Sequence, residues 1–278
     1  MKTEKNFPNL KWWMIAVAAA TGLVGCGEKP ERGGAGVGEG VPGRGVIGAT
    51  CLTTTNPFFQ EIQQAMEAEA AKHGYEVKYL DGNFDVNRQL NQVKDFIVQG
   101  VAAIAINPCD SQGIGTAIKE ANAAGVPVFT FDIKCDAEGA EVVSHFATNN
   151  FQGGQLAGEA MIEALGDAGG KVVVLDFRAV ESCQQRVLGF KDVIGKHNEG
   201  RESGKIEIVA ELPGEGQKDR GFKATEDALQ STPDMAGIFA INDPSALGAI
   251  AALEKAGRAG TVKIIGFDGQ LEGLQAIK

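Results

Sequence analysis

Residues 101–118 read VAAIAINPCDSQGIGTAI, and residues 235–253 read MAGIFAINDPSALGAIAAL. In both, an apolar run ends in Ile-Asn, at Asn107 and at Asn242, and gives way to a proline and a segment of helical period. That switch from a continuous apolar run to a 3.6-residue pattern marks a buried strand feeding a crossover helix. Each unit is followed by a second short apolar run closing on Phe-Asp, VPVFTFD at Asp132 and VKIIGFD at Asp268. The Asn-to-Asp spacing is 25 residues in the first unit and 26 in the second. The repeat predicts two lobes of one design.

The pattern extends on both sides. Beyond Arg44, short β-branched runs alternate with amphipathic stretches, which predicts an α/β fold with parallel sheets. Strands are expected over Val46–Leu52, Glu76–Leu80, Ala102–Ile106, Val128–Phe131 and Val142–Ala147. A second set is expected over Lys171–Asp176, Ile206–Glu211, Gly237–Ile241 and Val262–Phe267. The repeat divides the chain into an N-terminal lobe at 45–147 and a C-terminal lobe at 148–278. In sheets of this kind ligands bind outside the carboxyl ends of the strands. Two facing lobes would therefore line one cleft with Asn and Asp.

The chain carries a net charge of −10, and residues 1–25 hold three lysines and one glutamate, so the remainder is more acidic still. Nucleic acid is excluded as a natural partner, because a phosphate backbone would be repelled. Lys2, Lys5 and Lys11 precede an uncharged apolar stretch from Trp12 to Gly25, too short to span a membrane and suited to a signal peptide over 1–25. It ends in Leu-Val-Gly-Cys26, which looks like a bacterial lipobox with Cys26 as the lipid anchor; cleavage after Ala18-Ala19-Ala20 is the alternative. Residues 26–44 are Gly-rich and read as a flexible tether rather than a phosphate loop, because no strand precedes the glycines.

Asn56-Pro57-Phe58-Phe59-Gln60-Glu61 opens a helical pattern, with Asn56 as N-cap and Pro57 in the first turn. Phe58 and Phe59 flank the apolar stripe of that helix, so packing in the core and display over a cleft are both open. Enzymatic motifs are missing: there is no G-x-G-x-x-G after the first strand, and His73, His145 and His197 fall in no catalytic pattern. Four cysteines beyond Cys26 show no C-x-x-C, so no metal site and no cofactor are expected. Cys109 and Cys135 follow strands that would be neighbours, and export would permit a disulfide between them; free thiols are the alternative.

Together, NPFFQEIQQAMEAEAAKHGYEV, INPCDSQGIGTAIKEANAAGVPVFTFD, VVSHFATNNFQGGQLAGE, RVLGF, FAINDPSALGAIAAL and IIGFDG resemble the periplasmic ribose-binding proteins and related sugar-binding lipoproteins of ABC importers. The resemblance implies two Rossmann-like lobes, the type I periplasmic binding protein fold, closing on a monosaccharide. It implies that Asn56, Phe58 and Phe59 hold the ring from the first lobe, with Asp132 accepting from hydroxyls. Arg186 of R-x-x-G-F would donate, and Asn242 and Asp268 would bond the opposite edge. It further implies a monomer anchored in the cell envelope and delivering sugar to an ABC permease, and no enzyme. A sensory receptor of the same fold and a sugar-processing enzyme are the alternatives.

Two departures from the ribose pattern stand out. Ile133 follows Asp132 where ribose binders place an arginine, and no aromatic lies near Gly216 where one is expected to stack on the ring. The resemblance also implies that the chain continues past Lys278, through a strand and back into the first lobe. On that reading, residues 45–278 alone would be less stable and would bind sugar weakly.

Overall fold

The computed structural model describes residues 43–277. Nine strands and eight α-helices are found among them. The first sheet contains β1 (Gly45–Cys51), β2 (Tyr75–Asp81), β3 (Ala103–Ile106), β4 (Val128–Phe131) and β5 (Ser144–Phe146), in the order β2-β1-β3-β4-β5. The second contains β6 (Gly170–Asp176), β7 (Ile206–Pro213), β8 (Met235–Ala240) and β9 (Lys263–Ile265), in the order β7-β6-β8-β9. Every pairing is parallel. The second order repeats the first four places of the first, so the sequence repeat is a repeat of topology.

Helices α1 (Pro57–Lys72), α2 (Val86–Gln99) and α3 (Gly115–Ala123) make the crossovers of the first sheet. α4 (Asn150–Leu165), α5 (Glu181–Asn198), α6 (Lys218–Ser231), α7 (Asp243–Lys255) and α8 (Leu271–Ala276) accompany the second. Their starts follow from local chemistry. The Asn56 side chain accepts from Phe58 N with Pro57 in the first turn, Asp85 accepts from Asn87 N and Arg88 N ahead of α2, and Asn242 caps α7 by accepting from Ser245 N. α2 stops at Gly100, whose φ of 66° lies in the left-handed region that glycine adopts without penalty.

Ile104, Ile106, Ile114, Ile118 and Phe96 form the core between the first sheet and α2 and α3. Val173, Leu175, Ile238, Ala249 and Leu253 do the same between the second sheet and its helices. A third apolar cluster joins the two: Ala49, Cys51, Leu52, Phe59, Phe131 and Ile133 from the first sheet's side meet Val172, Val174, Val180, Cys183, Val187 and Phe239 from the second's. Where that cluster crosses from one sheet to the other, it borders a cavity.

Candidate functional site

That cavity has a free volume of about 40 Å³, well short of the roughly 300 Å³ at which small-molecule pockets begin. Its lining follows the carboxyl ends of the strands: Leu52, Thr53, Asn56, Phe58 and Phe59 after β1, Phe84 after β2, and Asp132 and Ile133 after β4. The second sheet adds residues from Phe177 to Arg186 after β6, Gly216 after β7, Asn242 after β8 and Asp268 after β9. The structure thus brings together all seven residues proposed from the sequence as ligand contacts: Asn56, Phe58, Phe59, Asp132, Arg186, Asn242 and Asp268.

The two strand-end aspartates match in backbone as well as in position. Asp132 has φ 59° and Asp268 φ 98°, left-handed conformations uncommon outside glycine and tolerated best by Asn and Asp. In both lobes the chain turns sharply after Phe-Asp, which aims the carboxylate at the cleft.

Arg186 is fixed on several sides. Its Nε donates to Asn150 Oδ1 at 2.9 Å, and its Nη1 donates to the Ile241 carbonyl at 2.7 Å and to Asp268 Oδ1 at 3.3 Å. The guanidinium carbon lies 3.8 Å from the centre of the Phe267 ring. Nη2 has no hydrogen-bond partner among the described residues, and its two N–H groups remain for the cavity that Arg186 lines. The side chains of Arg186 and Asp268 are 7% and 8% exposed, so their ion pair sits in a largely dry site.

Burial pushes the Asp268 carboxyl up to about 7, against the pull of Arg186. Burial also raises Asp132, opposed by Arg186 and by Asn107, whose Nδ2 donates to Asp132 Oδ2 at 3.1 Å. Desolvation disfavours the ionised carboxylate, and a donor hydroxyl arriving beside it would restore part of what water supplied.

Several sequence expectations change in three dimensions. Asn107, the repeat partner of Asn242, does not line the cavity. It is fully buried, accepting from Leu52 N at 2.9 Å and donating to the Phe131 carbonyl at 3.0 Å, so it braces β1 against β4. Asn242 instead caps α7 and donates to the Gly216 carbonyl at 3.1 Å. The sequence has no aromatic near Gly216, but the fold brings one there: a Cβ on Gly216 would lie 3.6 Å from the Phe177 ring, and Phe177 packs with Phe84 at 6.3 Å between centroids. Phe58 and Phe59 satisfy both readings. Their rings meet edge to face at 5.1 Å, Phe59 is 4% exposed in the core, and both line the cavity.

Of the two readings left open for Cys109 and Cys135, disulfide or free thiols, the structure has both as free thiols. β3 and β4 are neighbours as anticipated, but the two thiols belong to different cores. Cys109 sits in the cluster beside the cavity with Sγ 3.7 Å from the Leu52 carbonyl, whereas Cys135 packs against the α2–α3 core. The signal peptide expected over 1–25, the lipid anchor expected at Cys26 and the expected tether up to residue 42 lie outside the described residues. Among the described residues no group of three His, Cys, Asp or Glu side chains could hold a metal ion.

Two like-wound parallel sheets whose strand ends converge on one cavity, with carboxylates, amides, an arginine and aromatic rings around it, define a two-lobed small-molecule binding protein. The sequence profile of the periplasmic binding protein domain matches residues 47–278, and the chain belongs to that family. It is 35% identical over 233 residues to the ribose import binding protein RbsB of Salmonella typhimurium, covering 84% of this chain and 75% of the relative. An ABC transporter solute binding protein from Mycobacterium smegmatis with bound glycerol superposes with a TM-score of 0.76 at 33% identity, covering 84% of this chain and 78% of that one. One from Agrobacterium vitis with bound D-fucose gives 0.73 at 31% identity, covering 83% and 79%.

Proposed function

We propose that this protein captures a monosaccharide in the cleft between its two sheets, outside the inner membrane, and delivers it to the permease of an ABC importer. The convergence of Asn56, Phe58, Phe59, Asp132, Arg186, Asn242 and Asp268 on one cavity carries the reading. Aromatic faces suit the C–H faces of a sugar ring, and carboxylates, amides and a guanidinium suit its hydroxyls. Relatives are import binding proteins, which supports transport and a periplasmic location. The role is binding without catalysis. On this reading Cys26 carries lipid and holds a monomer at the membrane; mass spectrometry of the cell-expressed protein should find Cys26 acylated, and an unmodified terminus beyond Ala20 would oppose it.

Titration calorimetry with a panel of pentoses, hexoses and polyols tests the main reading. Asp268→Ala should weaken the best ligand severely, since hydrogen bonds to a charged group are worth about 1.5–3 kcal/mol each. Phe58→Ala should weaken binding and leave the circular dichroism spectrum unchanged. No binding by any sugar, or unchanged affinity in Asp268→Ala, would overturn the assignment.

A further inference from the structure

The cavity is polar on one part of its wall and apolar on another, and the apolar part is made by both sheets. Ile133, directly after Asp132, is 2% exposed; Leu52 is 7%, Val180 0% and Cys183 6% exposed, and all four belong to one core cluster. Part of the backbone of this wall is already committed. Leu52 N donates to Asn107 Oδ1 at 2.9 Å, the Leu52 carbonyl accepts from Phe84 N at 2.9 Å, and Ile133 N donates to the Phe131 carbonyl at 2.7 Å. Thr53, 1% exposed and next to Leu52, and Ser182 are the polar side chains beside this wall, and Thr53 Oγ1 is already paired with Thr55 Oγ1 at 2.9 Å. A ligand hydroxyl pressed against the Ile133 side chain would lose its water and gain no partner from that side chain, whereas a methyl group would gain by burial.

Resting on the sugar-binding reading above, we propose that the ligand is a deoxy sugar, a ring whose hydroxyls face Arg186, Asp132 and Asp268 and whose methyl group packs against Ile133. The residue beside Asp132 thereby sets specificity. An apolar side chain there removes a hydrogen-bond partner and leaves a surface that only a carbon bearing no hydroxyl fills without loss.

Calorimetric titration of the full chain with two matched pairs tests this: D-galactose against D-fucose, and L-mannose against L-rhamnose. In the pair that binds best, the deoxy member should bind on the order of 10- to 100-fold tighter, the discrimination one methyl or hydroxyl affords in a dry pocket. Ile133→Gln should shrink that ratio toward one, and Ile133→Val should keep it. If Ile133→Gln does not fold, the wild-type ratio decides alone. A hydroxylated member that equals or beats its deoxy partner overturns the inference and leaves sugar binding intact. Failure of every sugar to bind removes the sugar-binding reading and the inference with it.

Discussion

Arg186 shows how much of a candidate ligand contact lies in what holds it. A solvated arginine samples many rotamers; here Asn150 Oδ1, the Ile241 carbonyl, Asp268 and the Phe267 face leave one geometry, with Nη2 spare. Asn150 is 5% exposed, so Asn150→Ala would strand a buried guanidinium N–H at a cost of about 1–3 kcal/mol. Sugar affinity should fall in Asn150→Ala and return in Asn150→Asp, which restores an acceptor; equal affinity in all three proteins would show that the arginine is held without it. The resemblance singled out Arg186 through R-x-x-G-F, whereas Asn150 lies 36 residues away in a stretch that carries no sign of its partner. Asp268 adds a pH dependence. Its carboxyl titrates at about 7 in the folded protein, above its unfolded value, so its contribution to stability is fully present in acid and is lost as pH rises through about 7. Hydroxyls donating to the ionised carboxylate pull that value down. Sugar binding should therefore release a proton and tighten about tenfold between roughly pH 6 and 8, and a flat profile in the wild type, or one unchanged by Asp268→Asn, would count against the contact.

The elements that carry Arg186 depend on glycines whose reason was hidden in the sequence. α4 and α5 pack so closely that a Cβ on Gly154 would collide with the Arg186 carbonyl, and one on Gly189 with the Phe151 carbonyl. Gly153 likewise leaves room for the Phe267 ring that backs the guanidinium. Gly154→Ala should force the helices apart, destabilise the protein by about 1–3 kcal/mol and weaken sugar binding by displacing Arg186. Gly195→Ala, later in α5 with nothing within 4 Å of the added carbon, should raise stability by about 0.4–1 kcal/mol and leave affinity alone. Thermal melts and titrations of the two variants separate close approach from helix propensity; equal effects would mean that the contact is slack. The strands themselves were legible, because buried parallel strands leave apolar runs between turn signals. Their ends were less so. β5 is Ser144–Phe146 rather than 142–147, since it pairs only with β4 at the sheet edge and Val143 is 64% exposed. The companionship of α4 and α5 could not be read at all, because nothing in either helix names its neighbour.

At the scale of the whole molecule, the two sheets touch across the cavity. Gln270 Nε2 donates to Asn56 Oδ1 at 2.8 Å, Ser111 N donates to the Ala179 carbonyl at 2.9 Å, and Glu181 N donates to Ser111 Oγ at 2.9 Å. With about 40 Å³ of free volume behind these contacts, a sugar ring enters only if they break and the halves part. The Ser111–Ala179 bond supplies a way to test this, since an N···O contact of that length holds the two Cα atoms within the roughly 6.8 Å that a disulfide spans. The resident thiols should not interfere: burial raises Cys51 to about 11 and Cys109 and Cys183 to about 12, which leaves almost no thiolate at neutral pH, and half-buried Cys135 is raised as well. A Ser111→Cys, Ala179→Cys double variant, oxidised without ligand, should therefore take up no sugar and regain binding on reduction. Oxidised after sugar is added, it should release that sugar only when reduced. Undiminished uptake by the oxidised, ligand-free protein would show that the ring reaches its site without opening the cleft.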